Sequence, residues 1–95
     1  MLFRSLLREG KIALAQGRFQ DAVDWADKAR QKYVQRARNP AASADVGEAL
    51  LVLARSKRAL HDETGSRNAA QQAAIALTAS LGADNSLTRE ALALQ

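Results

Sequence analysis

Apolar residues recur along this chain at intervals of three and four, the period of an amphipathic helix, in five successive stretches. In the first, over residues 2–16, Leu2, Phe3, Leu6, Gly10, Ala13 and Leu14 fall within one arc of a helical wheel. Arg4, Arg8, Lys11 and Ala15 form the stripe opposite, and Gly17 supplies the stop. The second stretch, residues 19–37, has a stripe of mostly small residues: Phe19, Ala22, Val23, Ala26, Ala29, Tyr33 and Ala37. Small side chains let two helix axes approach closely, so this helix is expected to pack on both neighbours. Asp21, Asp24 and Asp27 occupy its first half and cations its second, an order that suits the helix dipole. Asp24 and Lys28 are spaced for an i,i+4 pair.

Asn39-Pro40 ends that helix. Proline disfavours helical geometry at the residue before it, while Asn suits an N-cap and Pro a first helical position. A third helix is expected to begin between residues 40 and 45 and run to about residue 61, with Val46, Leu50, Leu53, Ala54 and Leu60 as its stripe. Asp62-Glu63-Thr64-Gly65 reads as a short connection. A fourth helix, about residues 66–81, places Ala70, Ala73, Ala74, Leu77 and Leu81 on one face. Gly82 closes it, and Asp84-Asn85-Ser86 offers caps for a fifth segment over residues 87–94. Helices joined by such short connections pack as antiparallel neighbours. The fold class is therefore all-α, with about five helices in either a closed bundle or a stacked solenoid.

Internal repetition separates those two architectures. A shift of 44 residues puts Leu6 on Leu50, Leu7 on Leu51, Ala15 on Ala59, Ala26 on Ala70 and Ala29 on Ala73. The same shift puts Gly10 on Ala54 and Ala22 on Ser66, so small and large classes match at the helix-packing positions.

These residues resemble a tetratricopeptide repeat, a pair of antiparallel helices with a Gly at the turn and two alanines seven apart on the second helix. Leu6, Gly10, Gly17, Phe19, Ala22 and Ala29 carry the resemblance, most specifically in Gln16-Gly17-Arg18-Phe19-Gln20-Asp21-Ala22. In the second copy Leu50, Ala54, Ser66 and Ala73 fit, but His61 takes the turn Gly position, Glu63 the aromatic one, and Lys57 falls on the core stripe. The spacing is similar to the long-repeat variety found in kinesin light chains and in bacterial signalling proteins. Leu81-Gly82-Ala83-Asp84-Asn85-Ser86-Leu87-Thr88 resembles the connector between such units, without its customary Pro and His. The resemblance implies one domain folded as a short right-handed α-solenoid. Repeat one would span about residues 2–39, repeat two about 40–82, and a third helical unit would start at 84–95, as a section of a longer array. The family's first helices line a concave groove. That puts Arg4, Leu7, Arg8 and Lys11 of copy one, and Leu51, Val52, Arg55 and Arg58 of copy two, at a partner-binding surface.

Composition limits the chemistry. There is no cysteine, hence no disulfide and no thiolate ligand, and the single histidine leaves no site needing two imidazoles. No phosphate loop, nucleophile elbow or pair of facing carboxylates occurs, so no catalytic residue, metal or cofactor is expected. His61 fits better at a helix end, where its partial charge suits the dipole. The longest apolar run, residues 49–54, is far short of the roughly 20 residues that cross a bilayer. The opening Met1-Leu2-Phe3-Arg4 lacks a signal peptide's apolar core, so no membrane and a cytoplasmic location are expected.

Charge supplies the remaining clue. Residues 1–60 hold 12 of the 14 Lys/Arg against 6 of the 10 acids, a balance of +6, while residues 61–95 balance at −2. Cations on the groove stripe would select carboxylates, through bidentate Arg pairing. The leading expectation is a non-catalytic scaffold that binds a protein or acidic peptide partner in a basic concave groove. A second is the regulatory repeat segment of a multidomain kinase or ATPase signalling protein. A third, nucleic-acid binding along Lys28, Lys32 and Arg36 with Arg30 and Arg38 beside them, lacks the interleaved aromatics that stack on bases. Finally, Ala91, Leu92 and Leu94 of the last helix would lie exposed in a monomer and could support a homo-oligomer.

Overall fold

The repeated 44-residue spacing has a direct counterpart in the backbone. The computed structural model describes the backbone from residue 3 and the side chains from Ser5 onward; Leu2 and the side chains of Phe3 and Arg4 lie outside the described residues. Within them the chain is all-α: α1 (Phe3–Ala15), α2 (Phe19–Arg36), α3 (Ala44–Ala59), α4 (Glu63–Leu81) and α5 (Ser86–Ala93), with one 3-10 turn at Pro40–Ala42. α1 ends on Gly17 at φ 77°, and α3 ends on His61 at φ 64°. Each turn carries the same two backbone hydrogen bonds. Gly17 N–H donates to Leu14 O and Arg18 N–H to Ala13 O; His61 N–H donates to Arg58 O and Asp62 N–H to Lys57 O. This crossed pair is the Schellman closure, which satisfies carbonyls that a helix end would otherwise orphan. The next residues, Arg18 and Asp62, share φ −87° and nearly the same ψ, so both second helices leave their turns in the same direction.

Packing between the two helices of each hairpin relies on small residues. A Cβ on Gly10 would stand 3.4 Å from Ala26 N and 3.7 Å from Ala22 O, which sets α1 against α2 in antiparallel contact. In the second hairpin, Ser66 Oγ donates to Ala54 O at 2.8 Å, and a Cβ on Gly47 would fall only 2.7 Å from Leu77 Cγ. Ala13, Ala22, Ala26, Ala29, Ala54, Ala70 and Ala73 are wholly buried, so alanine forms the contact surfaces rather than filling space at random.

Helix α3 packs against all the others. It lies between α2 and α4 and also touches α1 and α5, while α1 and α4 are not packed against each other. Nine of its residues are buried, including the unbroken run Ala49, Leu50, Leu51, Val52, Leu53 and Ala54. The central turns of this helix are buried around their whole girth. Its polar stripe is therefore confined to Asp45 and Glu48 at one end and Arg55 and Arg58 at the other, which makes the apolar stripe hard to read from periodicity alone. Between α2 and α4 sits the 3-10 turn, packed on α4. Pro40 at its first position makes it a wedge rather than an extension of α3, which instead starts at the Ser43 cap, whose Oγ accepts from Val46 N–H.

Several local expectations change. α4 begins at Glu63, not residue 66, because Asp62 Oδ1 accepts from Gly65 N–H at 3.0 Å and caps the helix there. Asp62-Glu63-Thr64-Gly65 is thus mostly first turn, and the connection contracts to three residues. Lys57 is half-buried, with its stem against Gly65, so the core stripe accommodates its methylenes. Leu60 and Leu81, assigned to core stripes, are each 41% exposed because both lie at helix ends beyond the reach of a neighbour. Asp24 takes a hydrogen bond from Gln20 rather than pairing with Lys28, whose ammonium stands 5.1 Å over the Trp25 ring. Ala91 is fully buried and Leu94 half-buried against the core, leaving Leu92 as the exposed apolar residue of α5 among the three expected.

Two glycines and one histidine make these contacts testable by thermal and denaturant unfolding. Gly47→Ala should destabilise by about 1–3 kcal/mol, since Leu77 is fully buried and cannot step aside. Gly10→Ala should be neutral or stabilising by up to about 1 kcal/mol, because its Cβ has room and Ala is the better helix former. His61→Gly should stabilise by roughly 1 kcal/mol through relief of the left-handed backbone. Equal losses from the two Gly→Ala variants would contradict this packing.

Candidate partner-binding groove

The three odd-numbered helices share one face, and ion pairs cross it at two equivalent places. Lys11 Nζ on α1 donates to Glu48 Oε1 on α3 at 3.0 Å, and Arg55 on α3 pairs with Glu90 on α5. Lys11 and Arg55 are 44 residues apart, and Glu48 and Glu90 each sit five residues after an N-cap, Ser43 and Asn85. Each pair therefore joins the first helix of one hairpin to the next odd helix. Asn85 Oδ1 holds the start of α5 by accepting from Leu87 N–H at 2.9 Å, which fixes where Glu90 stands.

Between the two pairs lies an open cavity of about 490 Å³. Its floor is apolar: Leu14 from α1, Leu51 and Val52 from α3, and Leu87 from α5. A second cavity of about 360 Å³ adjoins it on the far side of the Lys11–Glu48 pair, lined by Leu7, Arg8, Tyr33 and Asp45 as well as that pair. The result is a groove with an apolar base and charged crossings of both signs.

The eight residues assigned to a groove from sequence do not all meet here. Leu7, Arg8, Lys11, Leu51, Val52 and Arg55 line the two adjoining cavities. Leu7, Leu51 and Val52 are buried at 6%, 2% and 4% exposure, so they are core residues that form the floor and not outward-facing contacts. Arg58 faces a different cavity, one turn further along α3. Arg4 lies outside the described side chains.

The charge of the groove also differs from expectation. Lys11 and Arg55 already hold carboxylates, and Glu48, Glu90 and Asp45 put acid among the cations. Arg8 is exposed and makes no ion pair among the described residues. The reading by stripes missed these acids because it followed cations along single helices. The signal was present: Glu48 and Glu90 occupy one position relative to their caps. On α2, Arg30 donates twice to Asp27 Oδ1, at 3.0 and 2.8 Å, so the basic stretch there is partly spent within the helix. Among the described residues no group of His, Asp and Glu gathers as a metal site, and no helix is long and apolar enough to cross a membrane.

Both crossing pairs are substantially solvated, with 51% and 27% of the Lys11 and Glu48 side chains exposed. Water and salt screen such pairs, so each should contribute no more than about 1 kcal/mol to stability. Double-mutant cycles with Lys11→Met and Glu48→Gln, and with Arg55→Met and Glu90→Gln, should return couplings below that value. A coupling of several kcal/mol in either cycle would make the pairs structural struts.

Comparison with protein-family models, with curated proteins and with solved structures finds no match to this chain.

Proposed function

We propose that this chain is a non-catalytic interaction scaffold, a short tetratricopeptide-like α-solenoid whose odd-numbered helices receive a partner segment. The observation that carries this reading is the repetition of one hairpin geometry, with the Schellman turns at Gly17 and His61 set 44 residues apart and the Lys11–Glu48 and Arg55–Glu90 crossings repeating at 44 residues for the cation and 42 for the acid. Translation of one unit onto the next is how a solenoid grows, and it sets alternate helices side by side as a continuous surface. The packing order supports the same arrangement, since a closed four-helix bundle brings its first and fourth helices together and α1 and α4 are not packed here.

The groove chemistry sharpens the partner. An apolar floor between charged crossings suits a segment with one large apolar side chain flanked by carboxylates. The side chain would sit over Leu14, Leu51, Val52 and Leu87. Its flanking acids would meet Arg8 directly and would take Lys11 and Arg55 in exchange for Glu48 and Glu90. Because exchange replaces one ion pair with another, net affinity comes from the apolar contact and Arg8, while the cations set orientation.

Two opposed variants test this with a displayed random-peptide library panned on the full chain. Arg8→Glu with Arg55→Glu should weaken the enriched acidic-apolar peptides by about tenfold or more, with helicity unchanged. Glu48→Gln with Glu90→Gln should tighten the same peptides by freeing both cations. Enrichment that ignores both variants would exclude the groove as the site.

A further inference from the structure

Towards the C-terminal end of α3 lies a third, open cavity of about 370 Å³, separate from the groove. Arg58 from α3, His61 from the turn and Arg67 from α4 all line it, and Ala93 and Leu94 at the C-terminal end of α5 form an apolar wall. None of those three side chains has a hydrogen bond or ion pair among the described residues. Glu63 is the acidic side chain on its rim, and Ser66 and Gln95 complete the lining. Asp62, next to Glu63 in sequence, is occupied in capping Gly65 N–H.

The three donors are among the positions where the second hairpin departs from the first. Shifted by 44 residues, Arg58, His61 and Arg67 fall on Leu14, Gly17 and Val23. Two partly buried apolar residues and a relaxed glycine give way to three hydrogen-bond donors around one space. At position 61 the change keeps a left-handed backbone, φ 64°, that glycine adopts without strain and other residues adopt at a cost. The hairpin fold needs none of the three, since the first copy forms the same turn without them.

We infer that this cavity binds a phosphoryl group, the dianionic end of a phosphate monoester. A guanidinium matches phosphate oxygens in bidentate fashion; Arg58 and Arg67 line the same cavity, and the imidazole adds a third donor from the turn. The N-terminus of the 19-residue α4 opens beside the site, with its dipole already met by the Asp62 cap, so the three basic side chains are what would hold an anion there. A space larger than a bare phosphate fills, with an apolar wall at Ala93 and Leu94, suits a phosphate carried on an organic group.

The test uses the full chain, titrated with inorganic phosphate and with O-phospho-L-serine at constant ionic strength set by sodium chloride. Nitrogen-15 signals of the arginine Nε and histidine ring atoms report binding. Saturable shifts at Arg58, His61 and Arg67 are expected with both probes. Tighter binding of phosphoserine points to a phosphorylated side chain as the source, and tighter binding of phosphate to the free ion. Arg58→Gln with Arg67→Gln should weaken binding by more than tenfold. His61→Gly, which keeps the turn and relieves its backbone, should weaken it several-fold while raising the unfolding temperature. Shifts that chloride reproduces, or affinities that the double Gln variant and His61→Gly leave unchanged, would overturn the assignment.

Discussion

A helix buried on nearly every side must be made of residues that ask nothing of water, and its neighbours must leave it room. α3 meets both conditions. Its central run from Ala49 to Ala54 contains no polar side chain, and its deeper polar residue, Ser56, turns its hydroxyl back onto Val52 O. Around it the other helices present alanines with Leu6, Leu7, Tyr33 and Leu77, and its own Gly47 makes room for Leu77. α1 is held by α2 and α3, and α5 by α4 and α3, so neither terminal helix would have a complete partner without this central one. Burial of α3 also explains why a chain with four aromatic residues in 95 can have a core: close approach of many small side chains replaces a few large ones.

The same arrangement creates the surfaces. Because α3 touches both α1 and α5, three odd helices line one face, and the gaps between them become cavities floored by α3's own buried residues. The charged crossings then lie at the rims of those gaps. Their near-neutrality means that a segment bound there, as proposed, would be selected by shape and arrangement of charge, and less by overall sign. The positive excess of residues 1–60 is instead distributed among Arg8, the α2 surface and, at the far end of α3, the cavity where Arg58 meets Arg67 from the next helix.

Most of the secondary structure was legible from spacing, because each helix shows water a polar face, interrupted in α3 by the buried run from Ala49 to Ala54. Gly17 and the match of His61 to it located both hairpin turns, and the structure gives both residues positive φ. The start of α4 was misjudged because Asp62-Glu63 looks like a polar loop, whereas Asp62 is a cap and Glu63 its first helical residue. For the groove, cations were visible as stripes on single helices, but their partners were not. Glu48 and Glu90 meet Lys11 and Arg55 across helices, 37 and 35 residues away, and only the packing of odd helices brings them together. Arg58 was assigned to the wrong surface for a related reason: one helical turn beyond Arg55 the neighbour is the α4 start and not the groove.

Native-state amide hydrogen exchange tests the central role of α3 most directly. If every other helix depends on it, the slowest amides should lie in residues 49–54, with exchange there requiring global unfolding, while amides of α1 and α5 open earlier at lower free energy. Protection that is uniform across α1, α3 and α4, or highest in α1 and α5, would contradict a structure organised around a single buried helix.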